Sequence, residues 1–580
     1  MARNIEKLRL ENLEGPFFIS YTVRDVKTMS VSATLGGIVL AGENHYRNHS
    51  VRLMVGDYSR SDENFLDFGG NSYRSTLLRN ADQLPLEDDY QGIRRALWIA
   101  TDNVYKSASE KYESKKAALE QQNLSDETEA LDDFIRVPAV KFSEASRVFP
   151  MDLMHWENVV KDLSAIFKDY PDIYTSQVRF FLYQGDVFFT NSEGTETVQP
   201  LTLTALQING ATQAADGDPL TDHTLFYVPS PQDLPSLESL KKSIIEMAEE
   251  LVALRTAPVF EDSYTGPVVF EDQAVAEFFI QRFFTGSNGL LAHRKPVVGD
   301  ARTASYINRT MGKSLGEKLN RRILSRDMTV KAHPTMRDYM GHKLLGSYTI
   351  DAEGIRPPDE IVLVENGMLK TLFCNRTPTL KVKEPNGHQR PIIGNGRLAS
   401  SGLGPSVISV TTSRGQSEKQ LKKTLLKLAR EEGLEYGILV RKLKSQVTGI
   451  NRRMDPMAWL TMTGDRREET SLTDPLLVYR IFVKDGREEL IRSARLGSVT
   501  LSTMRHIMGS AKQRIVYNTL APAVSGEDVY YSFARSVSTQ GVPSTFIVPK
   551  ALIFEEMDVE NEKRDFTPKM PVVVSPLVKN

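Results

Sequence analysis

Two histidines four residues apart are the first pair in this chain whose types and spacing could bind a metal ion. His45 and His49 enclose Tyr-Arg-Asn, and a zinc-binding helix places two imidazoles at the same spacing. The hydrolytic motif also needs a glutamate directly after the first histidine as general base, and Tyr46 holds that place here. The flanking sequence is typical of strand and turn, where positions four apart lie about 13 Å apart. We therefore interpret both histidines as surface or structural residues.

Carboxylates offer a second kind of chemistry. Glu271, Asp272 and Glu277 follow a Gly-Pro turn and the short apolar segment Val268–Phe270, which predicts a strand leading into a buried helix. A strand that continues directly into a buried helix is a common place for catalytic or metal-binding groups. This stretch contains no histidine or cysteine. General acid/base catalysis is therefore the chemistry that its own residues could supply.

Other potential metal ligands and nucleophiles are scattered. His293, His333 and His342 lie in a stretch with the composition of coil, so they could form a metal site only if the tertiary fold brought them together. The single Cys374 lies on an apolar predicted strand, which favours inert core over a nucleophile. One cysteine also excludes a disulfide framework and cysteine-rich zinc sites.

Tight turns rich in glycine and asparagine form a further group. Gly394-Asn-Gly-Arg397 matches a loose dinucleotide pattern, but Ser400–Pro405 follows where a pyrophosphate-binding helix would be needed, so we exclude a nucleotide site. The loop ends in a cation, Arg397. Asn366-Gly367 predicts a hairpin between two strands, and Asp351-Ala-Glu-Gly354 precedes it.

The elements that must position these residues indicate an α+β protein. A chain of 580 residues is too long for one ordinary core, so two or more domains are expected. The best linker is Pro229–Pro235, and Ser236 then begins a strong predicted helix. We place the boundary near residue 257, between an N-terminal α+β domain with an antiparallel sheet (1–257) and a β-rich, barrel-like or sandwich domain around a cavity (258–580).

Two local predictions concern the first of these domains. Gln184-Gly-Asp186 separates two apolar runs and predicts the turn of a hairpin. Residues 89–122 predict one long helix within a helical arm at about 89–135. The second half of that helix, Ser107–Gln122, has few apolar residues, so we expect it to project into solvent.

Composition limits the possible partners and location. Hydrophobic content of 40%, charged content of 25% and a net charge of −2 are typical of a soluble globular protein. Lys and Arg are dispersed, so we expect no nucleic-acid partner and no anionic membrane partner. No apolar run approaches 18 residues, and the first residues lack the apolar core of an export signal. We expect a cytoplasmic protein, or an exported one if a leader was removed.

Taken in chain order, these segments resemble the TldD/TldE (PmbA) family, once described as modulators of DNA gyrase and now regarded as related to metallopeptidases. The resemblance extends over nearly the whole chain and rests on the order and spacing of its matching segments. These segments are Ser32-Ala-Thr-Leu-Gly36, Arg52–Tyr58, Thr190-Asn-Ser-Glu-Gly194, 267–280, Asp351-Ala-Glu-Gly354, Val364–Lys370, Gly394-Asn-Gly-Arg397 and Arg495–Ser498. The resemblance implies the α+β architecture given above, a central cavity and dimerisation. In active members, the cavity cleaves unfolded peptides or small modified peptides.

The departures from the family pattern bear on catalysis. Active members carry His-Glu-x-x-x-His on the strand-to-helix element and a distal cysteine. The matching positions here read Phe270-Glu-Asp-Gln-Ala-Val275, so Phe270 and Val275 stand at vacated metal positions and only Glu271 is retained. The distal cysteine would fall near Gly541–Ser544, which contains none. Because catalytic zinc needs about three protein ligands, the resemblance implies no metal, no other cofactor and no catalytic residue of the family type.

We therefore expect a TldE-like protein that binds an unfolded or extended peptide by strand pairing, or that scaffolds a zinc-bearing relative. The assembly would be a homodimer, or a heterodimer with a TldD-like zinc peptidase. Two alternatives stay open: a hydrolase that uses the carboxylates or a histidine-bound metal, and a structural or non-peptide binding protein that keeps the fold. The candidate cavity and peptide-binding residues are Glu271, Asp351, Glu353, Asn366, Gly367, Gly394, Asn395, Gly396 and Arg397.

Overall fold

The computed structural model describes most of the chain. The described residues are 1–10, 13–66, 83–120, 131–285, 289–299, 315–394, 397–445, 471–523, 540–562, 573 and 575–578, with the backbone alone for 394, 397–400 and 540.

One six-stranded sheet, antiparallel except where β4 pairs with β6, organises the first half of the molecule. The elements of this half, in chain order, are α1 (Ala2–Lys7), β1 (Pro16–Thr34), β2 (Gly37–Val55), β3 (Phe65–Leu66), α2 (Tyr90–Glu120), β4 (Lys141–Ser143), α3 (Leu153–Ala165), β5 (Thr175–Asn191), β6 (Glu196–Gln213), β7 (Pro219–Val228) and α4 (Leu237–Thr256). The sheet order is β2-β1-β5-β6-β4, and β7 also pairs with β6. Helices α3 and α4 share an apolar core with one face of this sheet, and part of the opposite face contacts the second half of the chain.

The predicted turn at Gln184–Asp186 is wrong, because β5 passes through it as one strand of 17 residues. Gly185 pairs with Val26 of β1, and a Cβ atom at Gly185 would lie 2.2 Å from the carbonyl oxygen of Asp25. The glycine therefore permits the close approach of two strands, which is the other common reason for a glycine inside a strand pattern.

The prediction that the second half of α2 projects into solvent is also wrong. Ala108, Lys115 and Ala118 are buried. The Lys115 ammonium lies 2.5 Å from the Asp133 carboxylate and donates to the carbonyl oxygen of Ser61 at 2.9 Å. Small side chains and one compensated buried charge thus replace the large apolar stripe that the prediction required.

The second half is rich in strands. In chain order its elements are β8 (Tyr264–Glu271), α5 (Gln273–Phe283), β9 (Val297–Val298), β10 (Met328–Ala332), β11 (Asp338–Tyr339), β12 (His342–Lys343), β13 (Ile361–Glu365), β14 (Met368–Leu369), β15 (Gln389–Gly394), β16 (Arg397–Leu403), β17 (Val407–Thr412), β18 (Gly415–Gln416), α6 (Glu418–Glu431), β19 (Tyr436–Leu443), β20 (Pro475–Phe482), β21 (Glu488–Ile491), β22 (Ala494–Leu496), α7 (Leu501–Arg505), β23 (Ile507–Ala511), β24 (Arg514–Ala521), β25 (Gln540–Pro549) and β26 (Ala551–Asn561).

Two eight-stranded sheets form this half. The first has the order β14-β13-β10-β17-β25-β15-β16, with β24 also on β25, and the second has the order β18-β23-β26-β8-β19-β20-β21, with β22 also on β26. Residues of both sheets and of α5 belong to one apolar core. The expected α+β class with a β-rich second half is confirmed. No helix in the described part of the chain is long and apolar enough to cross a membrane.

Candidate functional site

The predicted strand-to-helix element is the centre of the second half. Strand β8 lies between β26 and β19, and all of its residues from Gly266 to Phe270 are buried. The chain turns at Asp272, whose φ is 49°, and α5 begins at Gln273. Every residue of α5 from Ala274 to Phe283 is buried. An apolar strand and an almost wholly apolar helix can be buried in this way because each satisfies its backbone groups internally or with neighbouring strands.

The two positions interpreted as vacated metal positions are occupied by core side chains. Phe270 is fully buried and packs edge-to-face against Phe278 and Phe554, with ring centroids 6.1 and 5.1 Å away. Val275 is also fully buried. Phe270 belongs to β8 and Val275 to α5, so the two positions do not share one helical element. Neither side chain has an atom that can coordinate a metal ion.

The retained Glu271 is part of an ion-pair chain at the edge of this core. Its carboxylate accepts from Arg441 at 3.3 Å, and Arg441 also donates to Glu488 at 2.9 Å. Partial burial raises the pKa of Glu271, and the Arg441 guanidinium opposes that rise. A carboxylate committed to an arginine is a poor metal ligand and a poor general base.

A polar stripe on α5 was missed as a unit by the sequence reasoning. Gln273 and Gln281 lie two helical turns apart, with Glu277 between them. Gln273 donates to the carbonyl oxygen of Leu443 at 2.9 Å and accepts from the Leu443 amide at 2.8 Å. Gln281 donates to the Thr473 hydroxyl at 2.9 Å and accepts from the Thr473 amide at 2.8 Å. The i, i+4, i+8 spacing was visible in the sequence, but the partners lie 170 and 192 residues away.

Glu277, at the centre of this stripe, is a buried acid held by neutral groups. It is 1% exposed and accepts from Gln281 at 3.0 Å and from the Tyr517 hydroxyl at 3.2 Å. Ser445 also hydrogen-bonds to it. Burial without a cationic partner raises the pKa of Glu277 to about 7. This carboxyl group can therefore hold or release a proton near neutral pH.

The region where a distal ligand would fall lies in the core strand β25. Val542 and Ser544 are fully buried, and the Ser544 hydroxyl donates to the carbonyl oxygens of Pro405 and Val542. With Phe270, Val275 and an arginine-paired Glu271 at the other positions, these residues do not fit a zinc ion that needs about three ligands. We derive no step through a metal.

The scattered histidines and Cys374 form no alternative metal site. In the described part of the chain, no three His, Cys, Asp or Glu side chains lie close enough together to hold one metal ion. His342 is exposed on β12, and His333 is 3.9 Å from Glu360. Burial raises the pKa of Cys374 to about 12, which confirms its interpretation as inert core.

Asp351 and Glu353 lie in a buried network that joins the two halves of the molecule. Asp351 accepts from the backbone amides of Glu353 and Gln389, and burial and the nearby Glu353 charge raise its pKa. Glu353 accepts from Arg52 of β2 at 2.5 Å and from the Arg376 amide at 3.1 Å. Their geometry is that of structural connectors.

The two predicted turns have different settings. Asn366 and Gly367 have φ values of 48° and 79° and connect β13 to β14, which confirms the hairpin. Gly394 and Arg397 form the last pair of the β15–β16 ladder. Asn395 and Gly396 lie outside the described residues. Among the described residues, no hydrogen bond or ion pair joins Glu271 to these turns or to Asp351 and Glu353.

Strand β16 ends its sheet, because among the described strands it pairs only with β15. Ser401 lies opposite Pro391, which has no N–H. Further along the same two segments, the Gly404 amide donates to the carbonyl oxygen of His388, so these two residues form a hydrogen-bonded pair. Since bonded and non-bonded pairs alternate in an antiparallel ladder, Ser401 directs its N–H and C=O away from β15. The same alternation applies to Leu403.

This arrangement, an α+β half joined to a β-rich half with a buried strand-to-helix element, is shared with several solved structures. A proposed modulator of a DNA gyrase from Thermotoga maritima is 14% identical, with a TM-score of 0.53 over 93% of this chain and 96% of that chain. TldE from Thermococcus kodakarensis is 11% identical, with a TM-score of 0.51 over 94% and 97% of the two chains. A proposed modulator of DNA gyrase from Bacteroides thetaiotaomicron is 12% identical, with a TM-score of 0.52 over 94% and 95%. At these identities the likeness defines the fold class.

Sequence comparison adds a match to a family model. Residues 263–452 match the PmbA/TldA metallopeptidase C-terminal domain. A protein named metalloprotease from Methanothermobacter thermautotrophicus is 29% identical over 236 residues, which are 35% of this chain. The match spans about half the length of that relative, 50%. Residues 263–452 of this chain are therefore similar to the C-terminal domain of the PmbA/TldA metallopeptidases.

Proposed function

We propose that this protein is a non-catalytic member of the TldD/PmbA family that binds extended peptides or scaffolds a zinc-bearing relative. The observation that carries the proposal is the occupation of the two expected metal positions by core side chains, Phe270 and Val275. Replacing ligands by packed apolar groups stabilises the core around α5 and leaves no coordination sphere at these positions. The family resemblance then leaves peptide binding as the retained part of the activity.

The edge of β16, which pairs with no second strand among the described residues, supports peptide binding by strand addition. Ser401 is partly exposed and offers one N–H and one C=O on that edge, whereas Leu403 is buried. An extended peptide that pairs with these groups would continue the sheet, and its affinity would come from main-chain hydrogen bonds. The predicted residue Arg397 begins the same strand, and Gly394 pairs with it from the end of β15.

A proline substitution tests this edge. Ser401→Pro removes the outward N–H but no bond of the β15–β16 ladder, and proline is tolerated on edge strands. Ser401→Ala is the matched control, because both variants lose the hydrogen bond from Gln389 to the Ser401 hydroxyl and only one loses the amide donor. We expect Ser401→Pro to weaken binding of a fluorescent unfolded peptide at least tenfold, by about 1.4 kcal/mol. Equal binding by both variants would remove the edge from the proposal.

Zinc content and peptide cleavage test the non-catalytic role. The purified protein is expected to contain no stoichiometric zinc after addition of the metal, and to leave unfolded casein intact alone. Co-expression with a relative that has the complete His-Glu-x-x-x-His motif is expected to yield a complex that cleaves. Chelator-sensitive cleavage by the protein alone, with one zinc per chain, would overturn the proposal.

The second candidate is a hydrolase that uses carboxylates, and Glu277 is the observation in its favour. A carboxyl group with a pKa of about 7, next to the Tyr517 hydroxyl, has the proton affinity of a general acid or base. Any metal-independent turnover that Glu277→Gln abolishes, with Glu271→Gln retaining it, would favour this candidate over the first.

A further inference from the structure

The face of α2 that packs on the sheet continues past its buried part. Thr101 and Tyr105 are buried, and the Thr101 hydroxyl hydrogen-bonds to Tyr21 of β1 at 2.9 Å. Counting back along the same face by three- and four-residue steps reaches Trp98, Arg94 and Tyr90. These side chains are exposed to solvent: Trp98 is 57% exposed and Tyr90 is 69% exposed. The first turns of α2 therefore carry two exposed aromatic side chains, Tyr90 and Trp98.

Next to the first turns of α2, the sheet presents a row of apolar side chains that the described helices leave partly exposed. Val23 of β1 pairs with Phe188 of β5, which pairs with Val198 of β6. These three side chains, together with Leu97 of α2 and Phe142 of β4, line an open cleft of about 590 Å³. Phe188 is 42% exposed, unusual for a large aromatic side chain in a sheet. A cleft of this size with an apolar lining has the form of a ligand site.

Two cations lie on α2 next to this cleft. Arg94 and Arg95 are exposed three and two residues before Leu97, which lines the cleft, while the charged lining residues Lys141 and Glu196 form an ion pair at 3.5 Å. Among the described residues neither arginine forms an ion pair, and the Arg94 guanidinium lies over the Tyr90 ring at 6.0 Å. An apolar floor with cations at the rim is complementary to an apolar occupant that carries a negative charge.

We propose that this cleft binds an extended apolar segment of an unfolded polypeptide that is flanked by an acidic residue. The cleft is lined by Val23, Leu97, Phe188 and Val198, next to the first turns of α2. This inference rests on the proposed peptide-binding function and adds a second contact in the first half of the molecule. Apolar side chains of the segment would cover Phe188 and Trp98, whose burial supplies most of the affinity. The flanking carboxylate would pair with Arg94 or Arg95. Two separate contacts on one chain would raise the overall affinity without stronger contacts at either.

The experiment is a binding titration of the full-length protein with labelled decapeptides. The first has a Leu/Phe centre flanked by aspartates, the second has lysine flanks, and the third has serines in the centre. We expect the first to bind best, the second several-fold more weakly and the third not measurably. Phe188→Ser should weaken binding of the first at least tenfold, while Met154→Ser, which changes a more exposed apolar residue on α3, should not.

Tryptophan emission locates the bound peptide. The unlabelled first peptide should shift the emission to the blue in the wild type but not in Trp98→Phe, which would assign the shift to Trp98. Binding that Ser401→Pro abolishes and Phe188→Ser leaves unchanged would overturn the cleft while keeping the proposed function. Absence of binding by every peptide would overturn both. A concentration-dependent dimer that Phe188→Ser dissociates would identify a second copy as the occupant instead and would also overturn the inference.

Discussion

Glu277 connects the stability of this protein to pH through a single buried carboxyl group. Its pKa in the folded state is about 7, against a usual value of 4.5. Above pH 4.5 the unfolded chain releases this proton while the folded protein keeps it, so the free energy of unfolding falls as pH rises. The loss is complete above about pH 7 and amounts to about 3 kcal/mol. Glu277→Gln should remove this slope.

The measurement is the urea midpoint of wild type and Glu277→Gln between pH 4 and pH 8.5. The amide can turn its oxygen toward Gln281 and its NH2 toward the Tyr517 hydroxyl, which also accepts, so the variant keeps its hydrogen bonds. We expect the two proteins to be closest at pH 4 and the variant to be more stable at pH 8. Parallel curves over this range would contradict the assigned proton affinity.

At this scale the sequence shows which residue types flank Glu271 but does not predict what the neighbouring polar side chains contact. The lack of histidine near Glu271 was visible by inspection. That Gln273 and Gln281 hold two distant segments by their backbone was not, because hydrogen-bond partners separated by more than 160 residues leave no local pattern. The arginine partner of Glu271, Arg441, was hidden for the same reason.

Two hairpin turns of the same form differ in one residue, and the difference is testable. Leu35 and Gly36 connect β1 to β2 with φ values of 47° and 75°, nearly those of Asn366 and Gly367. A leucine with positive φ costs about 1 kcal/mol that an asparagine largely avoids. Leu35→Asn should therefore raise the free energy of unfolding by about 1 kcal/mol, and Asn366→Leu should lower it by a similar amount.

Thermal unfolding by circular dichroism checks both signs in one experiment. Gly36 donates its amide to the Ser164 hydroxyl, so the first turn is fixed to α3 and its backbone should not relax in the variant. A destabilised Leu35→Asn protein would show that leucine packing at the turn outweighs the backbone strain.

Elements with a strong local pattern were predictable, and those defined by their neighbours were not. The strand-to-helix element at 264–283 and the hairpin at Asn366-Gly367 are both present. The wrong predictions of a turn at Gly185 and of a solvent-exposed helix around Lys115 have the same cause. In each, a local signal of turn or of surface was overruled by a contact with another element, β1 for the glycine and Asp133 for the lysine.

At the scale of the whole molecule, buried ion pairs join the two halves, and sequence alone could not match their members. Arg376, 1% exposed, stacks on Phe134 at 3.9 Å and donates to Glu193 of the first half at 2.6 Å. A second such pair joins Lys442 to Asp222 at 2.7 Å. Charges of this kind are costly to bury alone, so both members must be present for either to be stable.

Breaking the Arg376 pair should separate the unfolding of the two halves. Arg376→Met leaves the Glu193 carboxylate buried without a cation and should lower the free energy of unfolding by about 3 kcal/mol. Adding Glu193→Gln should recover part of this loss, because the double variant has no uncompensated charge.

Lys331→Met, which breaks an exposed pair with Glu360 inside one half, should cost about 0.5 kcal/mol or less. In calorimetry we expect one transition for the wild type and Lys331→Met and two for Arg376→Met, since one of the buried ion pairs that link the halves is lost. One unsplit transition in Arg376→Met, with no recovery in the double variant, would show that apolar packing alone holds the halves together.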